Sequence, residues 1–213
     1  MDLSKLNFYR GLVIIYLVGV LGHLFTPLRA YVVPLTPLVL LISAVIVLIP
    51  AMQDNNWKVI IWFFLCAIIT FVIEVVGVKT GRIFGVYGYG RVLGPAVLGV
   101  PVIISLNWSL VAFGAVTLAG IITRRKFLII LISAVLTVAL DFLMEPVAMY
   151  LKYWSWHDNI VPLQNYLAWF IISIFFNGIF VLGGLKNDSK LPPFYFGLLF
   201  VYFVILRTMV LFY

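Results

Sequence analysis

The strongest constraint on this chain is a recurrence of apolar windows, each long enough to cross a bilayer. Seven run approximately over residues 8–26, 32–50, 57–78, 97–122, 126–151, 165–185 and 192–212. About 20 apolar residues span the hydrocarbon layer as a helix, which satisfies its own backbone hydrogen bonds there. Asp54-Asn55-Asn56, Arg124-Arg125-Lys126 and Lys186-Asn187-Asp188 punctuate the windows. Pro34, Pro37, Pro101 and Pro192-Pro193 fall near helix starts, where a missing N–H costs least. Charged residues are only 10% of the chain, so there is too little polar sequence to cover a water-soluble core. The expectation is an all-α, polytopic integral membrane protein with about seven transmembrane helices, in a single domain over residues 1–213. The first window has the length of a signal peptide. Gly22-His23-Leu24 and Pro27 follow it without a small-x-small cleavage pattern, so it is read as a helix.

Basic residues set the expected orientation. Lys5, Arg10, Lys58, Arg124, Arg125, Lys126, Lys186 and Lys190 fall on the N-terminal side; Arg29, Lys79, Arg82, Arg91 and Lys152 fall on the other. That bias favours a cytoplasmic N-terminus in a multi-pass protein of the inner (cytoplasmic) membrane. The net charge of +7 is scattered over loops on both faces, which argues against nucleic acid and for ordinary contact with anionic lipid. The single Cys66 lies mid-span and is read as packing; no disulfide can form within one chain.

Five ionisable residues interrupt the apolar windows: His23, Glu74, Asp141, Glu145 and Arg207. A charge in hydrocarbon costs roughly 2.5–3.5 kcal/mol even on insertion scales, so a chain that carries several has a use for them. Counted from the expected cytoplasmic starts, His23, Glu74, Asp141 and Arg207 all lie about 22–26 Å along their helices. They are expected to form one polar layer in the outer half of the bilayer, with Asn177 as a further hydrogen-bonding candidate. Asp141 and Glu145 are four residues apart and share a helix face. Two carboxylates that close in low dielectric do not both ionise cheaply, so one is expected to stay protonated near neutral pH. Pro146 removes the N–H that would bond the carbonyl of Phe142, which then needs another partner, such as a water. A purely structural layer of interhelical hydrogen bonds is the competing reading.

Two loops flank the layer. The glycine-rich one, Gly81-Arg82-Ile83-Phe84-Gly85-Val86-Tyr87-Gly88-Tyr89-Gly90, follows no strand and fits neither a dinucleotide fingerprint nor a Walker sequence. It is read as a flexible or re-entrant loop with interfacial tyrosines. The other carries Tyr153-Trp154-Ser155-Trp156-His157, then Pro162, Asn165, Tyr166 and Trp169. About half of these aromatics are expected to form an interfacial belt, with His157 solvated. Two histidines and one cysteine make no zinc cluster. Glu74, Asp141 and Glu145 have oxygens of the kind that bind Mg2+, but they lie too deep for a diphosphate and no second acidic motif accompanies them. The last window has Arg207 and no lysine, which excludes a retinal Schiff base. No metal and no cofactor are expected.

Taken in order, several of these motifs resemble the membrane carotenoid 1',2'-hydratase family (CruF-like carotenoid biosynthesis proteins). The matching residues are Glu74 with Gly77, Gly85-Val86-Tyr87-Gly88-Tyr89, Gly99-Val100-Pro101 and Asn107-Trp108. They continue with Asp141-Phe142-Leu143-Met144-Glu145-Pro146-Val147-Ala148, Trp154-Ser155-Trp156 and Pro162-Leu163-Gln164-Asn165-Tyr166-Leu167-Ala168-Trp169. The resemblance covers roughly residues 57–185, and Val161 stands where the family has glycine. It implies addition of water across the terminal C1'=C2' bond of an acyclic carotenoid end of the lycopene or γ-carotene type, giving a tertiary alcohol. The expected catalytic residues are Glu74, Asp141 and Glu145. The expected substrate contacts are Tyr87, Tyr89, Asn107, Trp108, Trp154, Trp156, Asn165 and Trp169. Expected partners are the lipophilic carotenoid, membrane lipid and other carotenoid-pathway enzymes. Two alternatives remain: an end-group cyclase using the same protonation, which product analysis separates, and a proton-coupled transporter, which a vesicle assay separates.

Overall fold

The computed structural model describes the backbone of residues 3–211 and the side chains of residues 6–211; Lys5, from the charge count above, and residue 212, the end of the last window, lie outside the described side chains. The described chain is a bundle of seven membrane-spanning helical segments. They are α1 (Leu3–Leu24), the bent pair α2 (Thr26–Val32) and α3 (Thr36–Gln53), α4 (Trp57–Thr80), α5 (Val102–Ile122), α6 (Lys126–Tyr150), α7 (Leu163–Leu182) and α8 (Leu191–Val210). The protein is thus all-α and polytopic. Apolar side chains such as Ile14, Leu17, Ile61 and Ile171 face outward. A helix apolar all round fits a bilayer and has no stripe to hide from water.

Helix α5 is the hub. It packs against α3, α4, α6, α7 and α8, and 72% of its span is buried, more than any other. Prolines start the elements as expected: Pro34 and Pro37 lie at the first or second positions of the 3₁₀ turn after α2 and of α3, and Pro101 is the N-cap of α5; Pro27 does the same for α2. The fourth window begins five residues early, because residues 96–101 form a small antiparallel pair of strands, β2 (Ala96–Val97) and β3 (Val100–Pro101), before α5 starts.

The two long connections at one end of the bundle are not flexible loops. Strand β1 (Tyr87–Tyr89) pairs antiparallel with β4 (Trp154–Trp156), in the register Tyr87 to Trp156, Gly88 to Ser155 and Tyr89 to Trp154. Backbone bonds extend the ribbon at both ends, from His157 N–H to Val86 O at 2.9 Å and from Gly90 N–H to Tyr153 O at 2.8 Å. Side chains alternate across a strand, so Trp154 and Trp156 are buried while Ser155 is exposed. The ribbon caps the end of the bundle where α4, α5, α6 and α7 carry their acids and amides.

Candidate active site

Each acid comes from a position near the ribbon end of its helix. Glu74 lies six residues before the end of α4, and Asp141 and Glu145 lie nine and five residues before the end of α6. All three are at most 2% exposed. The ribbon aims two donors at each glutamate. Tyr87 donates its hydroxyl to Glu74 Oε2, and Tyr89 donates to the same oxygen at 2.8 Å. The indole N–H groups of Trp154 and Trp156 donate to Glu145 Oε2 at 2.8 and 2.7 Å. Two donors on one oxygen fix the position of each carboxyl group. Burial and the neighbouring acids push the phenols of Tyr87 and Tyr89 well above their ordinary range, so both remain donors.

Asn165, two residues into α7, ties the acidic pair together. Its amide nitrogen donates to Asp141 Oδ2 at 2.8 Å and lies 3.4 Å from Glu145 Oε1. Asp141 Oδ1 is buried without a partner. Among the described residues no lysine or arginine lies within salt-bridge distance of the three acids, and no group of three or more potential ligands is placed to hold a metal ion.

Glu74 and Glu145 face one chamber, lined also by Tyr87, Tyr89, Asn107, Trp108, Trp154, Trp156, Asn165 and Trp169. Every expected substrate contact is therefore brought together. Asp141 sits behind the chamber, reaching it through Asn165 and Glu145. The walls are aromatic faces. Trp108 stacks on Trp169 with centroids 3.6 Å apart, Trp169 stacks on Phe84 at 5.0 Å, and Tyr87 lies 4.8 Å from Trp156. Such faces attract a cation through the ring quadrupole. Trp154, Trp156 and Trp169 are no part of an interfacial belt: the ribbon and α7 turn them inward and bury them.

Three lining residues were not singled out from the sequence: Phe84, Ile104 and Met144. Ile104 precedes Asn107 by three and Met144 follows Asp141 by three, so helical spacing marks both. Phe84 carried no signal of its own. It packs where Gly77 leaves room: a Cβ at Gly77 would lie 2.6 Å from the Phe84 ring and 3.1 Å from the Tyr87 hydroxyl.

The expected supporting layer divides. His23 is buried but lines a neighbouring cavity and does not touch the acids. Arg207 is half-buried and donates to the carbonyl of Phe142, so a side chain takes the role expected of water. Asn177 belongs to the other end of the bundle: its neighbour Phe176 accepts from Trp62 at 3.1 Å, and Trp62 lies twelve residues, about 18 Å of helix, from Glu74. Both amide atoms of Asn177 are buried without a partner; nothing in the structure explains them.

Buried carboxyl groups, donors that fix them and aromatic rings around one chamber suit chemistry that moves a proton and passes through a cation. Comparison with known proteins supplies the class. The family model described as carotenoid biosynthesis protein matches residues 35–213, taking in α3 and α8 beyond the stretch of motif resemblance. No curated protein and no solved structure matches the chain.

Proposed function

The chain belongs to the carotenoid biosynthesis protein family, and from that premise we propose that this multi-pass membrane protein hydrates the terminal C1'=C2' bond of an acyclic carotenoid end. The observation that carries the reading is the arrangement of two glutamates across one aromatic chamber, each held through one oxygen by two ribbon donors. A held carboxyl group is a preorganised one.

In this reading Glu145 gives its proton to C2'. The C=C π electrons form the new C–H bond and leave a tertiary cation at C1'. The aromatic rings that line the chamber, Trp108 and Tyr87 among them, stabilise that cation. A water held by Glu74 attacks C1', and its surplus proton passes to Glu74. Return of one proton from Glu74 to Glu145 restores the site, so the sum is alkene plus water giving tertiary alcohol. Asp141 shares the Asn165 amide with Glu145 and so helps to hold that acid in place. The step is redox-neutral and calls on no nucleotide, flavin or metal. A polyene dissolves in the bilayer alone, so a site within the spans, in the cytoplasmic membrane and near its outer face, meets the substrate where it resides.

The test is expression in a host that makes lycopene or γ-carotene, followed by mass analysis of its pigments. A product heavier by one water supports hydration; an isomer of unchanged mass identifies a cyclase and overturns it. In deuterium oxide the label appears at C2', and water carrying heavy oxygen labels the hydroxyl. Oxygen arriving from molecular oxygen rules the mechanism out. Glu145→Gln and Glu74→Gln each lower turnover by about 100-fold or more, the range of general acid–base catalysis, with membrane insertion intact.

A further inference from the structure

A second, larger cavity adjoins the acid chamber, and the hydration scheme does not use it. It holds about 710 Å³ of empty space, its open mouth included, between α1, α2, α3, α5, α6 and α8. Ile104, Asn107, Met144 and Trp154 form a wall common to both spaces. The lining is mostly aliphatic, with Ile15, Val39, Leu93 and Leu199 among its members. Of its hydroxyl groups, Tyr16 is engaged with Tyr195 at 3.2 Å and Thr36 with Tyr153 at 2.7 Å, while that of Tyr202 lies 3.3 Å from His23 Nδ1.

His23 differs. It lines this cavity, is 2% exposed, and its Nε2 has no hydrogen-bond partner. Its tautomer follows from its neighbours. Nδ1 lies 2.6 Å from the carbonyl oxygen of Gly19, and a carbonyl only accepts, so Nδ1 carries the hydrogen. The other tautomer would let Nδ1 accept from the Tyr202 hydroxyl, 3.3 Å away, at the cost of two lone pairs facing each other at the shorter distance. In the neutral ring Nε2 is then an acceptor. A buried acceptor in an apolar cavity lacks one thing, a donor from a ligand.

We propose that this cavity is a second binding site, for the hydroxyl-bearing end of an isoprenoid chain, with His23 Nε2 accepting the hydroxyl hydrogen. The aliphatic walls take the chain, and the family of the protein makes an isoprenoid the relevant apolar class. A bare hydrocarbon fills the cavity and leaves Nε2 unpaired; an alcohol pairs it. The site does not depend on the hydration chemistry.

The test is equilibrium binding to the full-length protein in detergent, read by tryptophan fluorescence, since Trp154 forms part of the common wall. The probes are geranylgeraniol, a primary alcohol; geranyllinalool, its tertiary isomer; and the hydrocarbon of the same skeleton. At least one alcohol is expected to bind about tenfold more tightly than the hydrocarbon, the scale of one net hydrogen bond. The preference disappears in His23→Leu and survives in part in His23→Gln, which keeps an acceptor. Preference for the tertiary alcohol identifies the site with a hydration product; preference for the primary one identifies it with a precursor alcohol. Equal binding of all three by the unaltered protein, or a preference that persists in His23→Leu, overturns the proposal. The comparison within the unaltered protein decides even where His23→Leu fails to fold. No turnover is measured, so failure here leaves hydration standing and failure of hydration leaves this site standing.

Discussion

The guanidinium of Arg207 donates to the backbone carbonyl of Phe142 and lies 4.2 Å above the centre of the Phe142 ring. The bond answers a defect in α6. Pro146, inside that helix, has no N–H to offer the carbonyl four residues back, and hydrocarbon provides no water to replace it. One arginine from α8 thus closes the gap one residue from Asp141.

Arg207→Met keeps the bulk of the side chain and removes the donor. The expected result is a loss of stability of about 1–3 kcal/mol, read as a lower thermal midpoint in detergent, with product identity unchanged. A variant as stable as the parent would show that the freed carbonyl needs no protein partner.

Tyr87 and Tyr89 hold Glu74 by the same oxygen. Tyr87→Phe and Tyr89→Phe are each expected to lower turnover by roughly tenfold, and the double variant by more than either, because hydrogen bonds to charged groups contribute about 1.5–3 kcal/mol. Pigment turnover in the producing host measures this. Unchanged turnover in the double variant would remove Glu74 from the mechanism or the tyrosines from its support.

Gly90 follows β1 where the ribbon meets the chain after α6. A Cβ there would fall 2.1 Å from the Lys152 carbonyl oxygen, closer than backbone atoms can be. Gly90→Ala is expected to spread the ribbon, move Tyr89 off Glu74 and reduce turnover strongly while the seven spans still insert. Gly88, with open space around its Cβ position, is the control: Gly88→Ala should be active.

Tyr153 lies outside the spans, and burial pushes its phenol up to about 12, with the bond to Thr36 pulling slightly the other way. A phenol whose folded value exceeds the unfolded one, about 10, favours the fold while neutral. Its contribution is complete below about pH 10 and is lost as the pH rises toward 12. The stability difference between the parent and Tyr153→Phe should therefore shrink across that window. A constant difference from pH 9 to 12 would show that the phenol does not titrate with unfolding.

The spans and the acidic pair were legible because their signals are local. A window of apolar residues reports a helix in hydrocarbon wherever it occurs, and a spacing of four puts Asp141 and Glu145 on one face of any helix. Counting along the helices likewise set Glu74 and Asp141 at a common depth, and both flank Glu145 in the folded bundle. The family was legible too, through the order of short motifs carried by these same elements. Depth alone did not tell which polar residues would meet: Arg207 turns to Phe142 and His23 to the neighbouring cavity.

The ribbon was decided by tertiary structure. Tyr87–Tyr89 and Trp154–Trp156 are three-residue strands, too short for alternation to stand out, and more than sixty residues separate the partners. Their glycines and aromatics read equally well as a mobile, interfacial loop. What selects the pairing is the register: with Tyr87 opposite Trp156, two phenols and two indoles face inward onto two carboxyl groups. A slip of one residue would turn Gly88 or Ser155 inward, according to which strand moved, and leave one of the two acids without its donors. The penalty for an unpaired acid in a dry bundle is large, and it arises only once α4 and α6 have brought Glu74 and Glu145 beneath the same ribbon.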